Sequence, residues 1–212
     1  MVHNRVDFIL PYVQGPKVLD VGCAAHVPEP GAPYWLHGRL REKFPCVTGI
    51  DLNEQNVAKL RAQGFQNLFV GNAEDINIDS RFDTIVAGEL IEHLSNPGAF
   101  LESARKHLAP GGRLVLTTPY PFCLMGFLYA MLKYPKTCQN LEHTCWFCPQ
   151  TFKELSGRAG LRIAHWELFP MYGTGDPSLA YRLYVNFVRY FKWLLPKQLW
   201  CSAMLLVLEA AA

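Results

Sequence analysis

The chain has 212 residues, half of them apolar, a net charge of +2 and seven cysteines. That length supports one well-buried domain and is short for two, and a nearly neutral charge supplies no basic face for nucleic acid, so no nucleic-acid partner is expected. Scattered cysteines, with no secretory leader pattern in residues 1–10, predict reduced thiols in a cytoplasmic protein, and the apolar runs at 122–132 and 204–208 are too short to cross a hydrocarbon core of ~30 Å.

Residues 17–21 form a short apolar strand pattern closed by Gly22. Residues 33–44 follow with Trp35, Leu36, Leu40 and Phe44 at helical spacing, and residues 46–50 make a second strand ending at Asp51, so the unit reads β-α-β. A helix over 54–63 stopped by Gly64, strands over 67–70 and 82–87, a helix over 97–108 and a strand over 113–117 continue the alternation, with Pro110-Gly111-Gly112 as the turn feeding the last strand. Strands that are continuously apolar, with helices between them, predict a parallel sheet covered on both faces. Beyond Thr118 the alternation breaks into an apolar helix over 122–134, a Cys- and His-bearing loop over 138–149 and a helix over 149–160. Two further strands, 161–169 and 201–209, are separated by a Gly-Pro loop and an aromatic, basic stretch at 179–195. Few residues precede Lys17, so the pocket roof is expected from 120–149 and 171–195.

In open α/β sheets the ligand crevice lies outside the carboxyl ends of the strands, where strand order reverses. Those ends read Asp20-Val-Gly-Cys-Ala24, Gly49-Ile-Asp51-Leu52, Gly71-Asn-Ala-Glu74-Asp75 and Ala87-Gly-Glu89, the last running on to Ile91-Glu92-His93. Asp51 is placed to accept hydrogen bonds from a ribose diol, and Gly22 lets a ligand approach the backbone closely. A nicotinamide dinucleotide would need a Gly-x-Gly-x-x-Gly turn for its pyrophosphate, and the chain has Gly22-Cys-Ala-Ala-His26 instead.

Over residues 15–120 the chain resembles the class I S-adenosylmethionine-dependent methyltransferases. It is similar in particular to the small-molecule and glycan-type members, through Glu89-Leu-Ile-Glu92-His93, Leu108-Ala-Pro-Gly-Gly112, and Leu141-Glu-His143 with Trp146-Phe147. The resemblance implies a single α/β domain over 1–212 with a Rossmann-like, doubly wound, seven-stranded sheet, mostly parallel with an antiparallel last strand. It implies S-adenosylmethionine as cofactor, held by Asp20, Gly22, Cys23, Ala24, Asp51, Leu52, Asn72, Ala73, Glu74, Gly88 and Glu89. Within that set Leu52, Ala73 and Glu74 lie against the adenine, with Asp75 a neighbour to its amine. Glu89 either caps the following helical turn or meets the cofactor's amino group. The family usually carries glycines where this chain has Ala24 and His26, which motivates an alternative reading as a non-catalytic cofactor-binding or scaffold protein.

Methyl transfer from a sulfonium is an in-line displacement that needs positioning and, for a protonated acceptor, a base. His93 is the first candidate base and His143, on the inserted loop, the second, with structural roles as the competing readings. The expected acceptor is a small molecule, methylated on oxygen in preference to nitrogen. Cys138, His143, Cys145 and Cys148 make a permissible zinc set, but their spacing is not standard, and no metal site is expected. Tyr181, Tyr184, Phe187, Val188, Phe191 and Leu195 recur at helical spacing beside Arg182, Arg189 and Lys192. Weak membrane-surface contact through 179–195, a homodimer contact and a plain core face are the three uses open to them.

Overall fold

A computed structural model describes residues 4–24, 32–132, 140–171, 186–188 and 190–211. Seven strands form one sheet in the order β3-β2-β1-β4-β5-β7-β6. They are β1 (Lys17–Val21), β2 (Cys46–Asp51), β3 (Leu68–Val70), β4 (Phe82–Gly88), β5 (Leu108–Pro119), β6 (Leu161–Phe169) and β7 (Ala203–Ala210). The first five strands pair in parallel, and β7 lies antiparallel between β5 and β6.

Both faces of this sheet are buried, which is why its central strands are apolar at consecutive positions. Leu19, Ile85, Leu114, Leu116 and Leu206 point to one face, where α4 (Pro97–His107) and α6 (Pro149–Arg158) cover them with Phe100, Leu101 and Phe152. Val18, Val86, Val115, Leu205 and Val207 point to the other, under α1 (Arg5–Ile9) and α2 (Leu36–Lys43). A third cluster joins Trp35, Cys23 and Ala24 to Val57 and Leu60 of α3 (Glu54–Ala62). Asn53 caps α3 and Asn96 caps α4, each accepting a hydrogen bond from the backbone N–H three residues on. Such caps satisfy donors the helix itself leaves open.

Three expectations change. The residues before Lys17 do give cover: Asn4 caps α1, and Val6 and Ile9 are buried against the sheet. Pro110-Gly111-Gly112 is not a turn ahead of β5 but an irregularity inside it, where the register with β4 slips between Phe82 and Thr84. Gly111 takes φ +75° there, a conformation glycine adopts without penalty. The core-face reading of Phe187 and Phe191 also fails, because both are exposed and stack on one another, while Val188 is buried. Tyr181, Arg182, Tyr184 and Arg189 lie outside the described residues, as do His26 and Cys138.

The apolar helix after β5 is α5 (Leu124–Leu132), which packs near α7 (Lys197–Trp200). No helix among the described residues is long and apolar enough to cross a membrane.

Candidate functional site

Strand order reverses between β1 and β4, whose neighbours on the outer sides are β2 and β5. The loops after these strands therefore diverge and open a crevice at their carboxyl ends.

At the β1 end the chain turns at Gly22 with φ +81°, and a Cβ there would stand 3.2 Å from Leu90 Cδ1. Gly22 and Cys23 both donate to the Ile50 carbonyl, at 2.8 and 3.3 Å, which ties this turn to β2. The carboxylate of Asp51, 8% exposed, holds the same turn from the side. Its Oδ2 accepts from Ala24 N–H at 2.7 Å and its Oδ1 from Asn53 N–H at 2.9 Å. Asn56 Nδ2 closes the arrangement by donating to the Ala24 carbonyl at 2.9 Å. Ala24 is thus buried and its backbone bonded on both sides, so the loop is fixed without the glycine usual at that position. Each Asp51 oxygen retains lone-pair capacity for a further donor. Leu52, beside it, is 73% exposed and offers an apolar surface at the rim.

Asp20 lies deeper than the sequence suggests. It is buried beside His37 of α2, Nδ1 to Oδ2 3.1 Å, and burial raises its carboxyl above the usual range, against the opposing pull of His37 and Arg5. Past β3, the Asn72 side chain accepts from Glu74 N–H at 2.9 Å, and Glu74 Oε1 accepts from Asn96 N–H at 2.8 Å. Glu74 therefore braces the start of α4, with Ala73 buried beside it.

The β4 end is different. Gly88 is packed so closely that a Cβ would stand 3.1 Å from Leu36 Cδ2 and 3.4 Å from Arg5 Nε. Glu89 follows with φ +54°, a left-handed conformation that costs a non-glycine residue about 1–2 kcal/mol. This strained backbone holds a buried carboxylate whose Oε1 has no partner among the described residues. Burial raises its pKa, opposed by the nearby Arg5 charge. Of the two roles open to Glu89, capping the next turn is not observed: the turn Ile91–His93 has no side-chain cap.

Glu92 is 1% exposed. Its Oε2 accepts from Thr118 Oγ1 at 3.0 Å, while Oε1 is buried with no partner among the described residues. Burial, reinforced by the charge of Glu89, pushes its carboxyl up to about 8. His93 comes next, and the inserted loop brings His143 against it with ring centroids 4.8 Å apart and planes at 81°. Thr144 fixes this approach: its N–H donates to the Glu92 carbonyl at 2.8 Å, and its hydroxyl lies 3.0 Å from that oxygen and 2.6 Å from the Leu94 carbonyl. Burial and the neighbouring His93 lower the pKa of His143.

The structure thus brings together His93, His143 and the unpredicted Glu92, with a carboxylate oxygen and a nitrogen of each imidazole all within 4.8 Å of one another. No metal site is expected from the sequence, yet this set has the donor types of one. The cysteines considered for zinc have other contacts: Cys145 Sγ lies 3.8 Å from the Ile91 carbonyl and Cys148 caps α6 beside Thr151. Arg5, His37, Glu92, Thr118 and Thr144 were all missed as site residues. Only Glu92 carried a signal, its place inside Glu89-Leu-Ile-Glu92-His93.

A family model described as a methyltransferase domain matches residues 3–165. The ubiquinone biosynthesis O-methyltransferase of Coxiella burnetii is 28% identical over 163 residues, covering 71% of this chain and 65% of that protein. The protein of the same name from Psychrobacter cryohalolentis is 30% identical over 132 residues, 55% of this chain and 48% of its own length. The chain accordingly spans less than two thirds of these curated relatives. Among solved structures, an S-adenosylmethionine-dependent methyltransferase from Clostridium acetobutylicum superposes with a TM-score of 0.63 at 12% identity, covering 98% of this chain and 91% of the other. A glycopeptide N-methyltransferase complexed with S-adenosylmethionine gives 0.64 at 15% identity, covering 98% and 86%. At such identities the structural likeness speaks for the fold.

Proposed function

The chain belongs to the methyltransferase-domain family, and from that premise we propose that it moves the methyl group of S-adenosylmethionine to a hydroxyl of a small, quinone-like acceptor. The observation that carries this reading is a convergence at the β1–β4 switch. The backbone turns at Gly22 against Leu90, Glu89 keeps its Oε1 without a partner among the described residues, and four residues on His93 stands edge to face with His143.

The residues fit the cofactor's chemistry. S-adenosylmethionine has no phosphate and carries positive charge on sulfur and nitrogen, so it suits a glycine-turned loop lined by carboxylates and not a phosphate-binding turn. When bound, it supplies a methyl group on an electron-poor sulfur. Gly22 gives close approach to the backbone. Asp51 has capacity to accept from ribose hydroxyls at the rim, Leu52 faces the adenine, and Glu89 Oε1 receives the amino group.

On the acceptor side, His93 and His143 hold the hydroxyl and draw its proton onto an imidazole nitrogen. A lowered pKa keeps His143 uncharged, and so able to accept, at neutral pH. Thr144 keeps that imidazole in reach of His93. Oxygen as the methylated atom is supported by the activity named for the curated relatives.

The test follows S-adenosylhomocysteine production with S-adenosylmethionine and a panel of hydroxylated quinones and phenols. Acceptor-dependent production, lost in His93→Ala, is the expected result. Binding of S-adenosylhomocysteine with no turnover on any acceptor would contradict it and favour the non-catalytic binder.

A further inference from the structure

We propose that His37 is a positioning residue of the cofactor site: it fixes Asp20 as the counter-ion that draws Arg5 away from Glu89, and so leaves Glu89 open to the ammonium of the ligand. The inference rests on the methyl-transfer reading above, in which Glu89 receives that group.

The first observation is the pair itself. His37, in the first turn of α2, is fully buried, and its Nδ1 lies 3.1 Å from Asp20 Oδ2. Its Nε2 is buried too and has no partner among the described residues. A protonated ring would leave an N–H there without an acceptor, so the imidazole is neutral and donates its Nδ1–H to Asp20. That bond and the charge of Arg5 hold Asp20 as an anion against the cost of its burial. Two apolar side chains would join α2 to β1 more cheaply, because a buried charged contact seldom adds stability over a well-packed apolar one. The charge is therefore kept for what it acts on.

The second observation is the state of Arg5. Its Nε has no partner among the described residues and would stand 3.4 Å from a Cβ on Gly88. Glu89 is the next residue, and its Oε1 is buried and likewise without a partner. Arg5 forms no ion pair among the described residues, although its charge acts on both Asp20 and Glu89. A guanidinium near a buried carboxylate ordinarily closes on it, often through two parallel bonds. Here Asp20 competes for the same cation, and the contest leaves Glu89 Oε1 unpaired. Without the His37 donor, burial would drive Asp20 towards the neutral acid. Arg5 would then lose its second counter-ion and turn to Glu89, and the protein itself would take the place reserved for the ligand's ammonium.

The experiment measures calorimetric binding of two ligands to the full chain, beside thermal melting. S-adenosylhomocysteine carries the ammonium, whereas 5′-methylthioadenosine shares the adenosine and thioether and lacks the amino-acid moiety. Asp20→Asn keeps the shape and removes the charge, and His37→Leu removes the donor. Each should weaken S-adenosylhomocysteine roughly tenfold or more, the scale of one charged hydrogen bond, and leave 5′-methylthioadenosine within about twofold of wild type. His37→Asn, whose amide N–H falls near the position of the imidazole Nδ1, should restore S-adenosylhomocysteine binding. Equal loss of both ligands would mark a purely structural pair and overturn the proposal. Unchanged S-adenosylhomocysteine binding, or no recovery in His37→Asn, would overturn it as well. If His37→Leu does not fold, Asp20→Asn decides by the same criterion. A wild type that binds neither ligand removes the cofactor reading, whereas one that binds S-adenosylhomocysteine with indifference to His37 and Asp20 removes this inference alone.

Discussion

Around the β1 and β2 ends, carboxylate oxygens are spent on the protein itself: both Asp51 oxygens hold backbone N–H groups, and Asp20 meets His37, whose Nε2 is buried without a partner among the described residues. Around the β4 end, on the next strand of the same sheet, Glu89 and Glu92 each keep a buried oxygen with no donor among the described residues, and two imidazoles meet edge to face. The first region is a rigid cradle whose shape is settled before any ligand arrives. The second buries carboxyl oxygens without partners among the described residues, an arrangement that is costly for stability and useful when something else supplies the partners. Binding and reaction are therefore expected to separate by mutation.

The sharpest separation comes from His93→Ala. Turnover should fall by roughly 10²–10⁴-fold, the range for loss of an activating side chain, while calorimetric affinity for S-adenosylhomocysteine changes little. Equal loss of both would merge the two regions. Glu89→Gln tests the border between them, because it keeps the shape and removes the charge. Affinity for S-adenosylmethionine should drop roughly ten- to hundredfold, consistent with the ~1.5–3 kcal/mol typical of a hydrogen bond to a charged group. An unchanged dissociation constant would move Glu89 out of the cofactor region. Gly22→Ala places a Cβ 3.2 Å from Leu90 Cδ1 at φ +81°. A melting temperature lowered by a loss of about 1–2 kcal/mol is expected, with weaker cofactor binding, and a variant as stable as wild type would show that the turn is not strained. The smallest effect belongs to Thr144→Val, which removes the hydroxyl contacts to the Glu92 and Leu94 carbonyls and keeps the backbone N–H bond to Glu92. Roughly fivefold slower turnover, about 1 kcal/mol, should leave cofactor affinity intact.

The same contrast explains what could be read in the sequence. The cradle was legible because its parts are local: a run such as residues 17–21 is apolar at every position because both sheet faces are buried, and Gly22 and Asp51 mark the strand ends. The region proposed to react depends on contacts between distant segments. His93 and His143 could each be named, but only Thr144 docking on the Glu92 carbonyl makes them neighbours, and that bond leaves no periodic trace. Glu92 reads as one more polar residue in a short turn until Thr118 and the inserted loop bury it. Arg5 was invisible for another reason, since α1 spans only five residues, too few for a helical pattern. Pro110-Gly111-Gly112 misled because the same residues that form turns also form strand irregularities.

The central claim is that the β1–β2 cradle binds the cofactor through Asp51, and calorimetric titration with S-adenosylhomocysteine of the wild type beside Asp51→Ala tests it most directly. Saturable one-to-one binding by the wild type, weakened at least tenfold in a variant that still folds, is the predicted result. No binding by the wild type, or equal binding by both, would contradict the account.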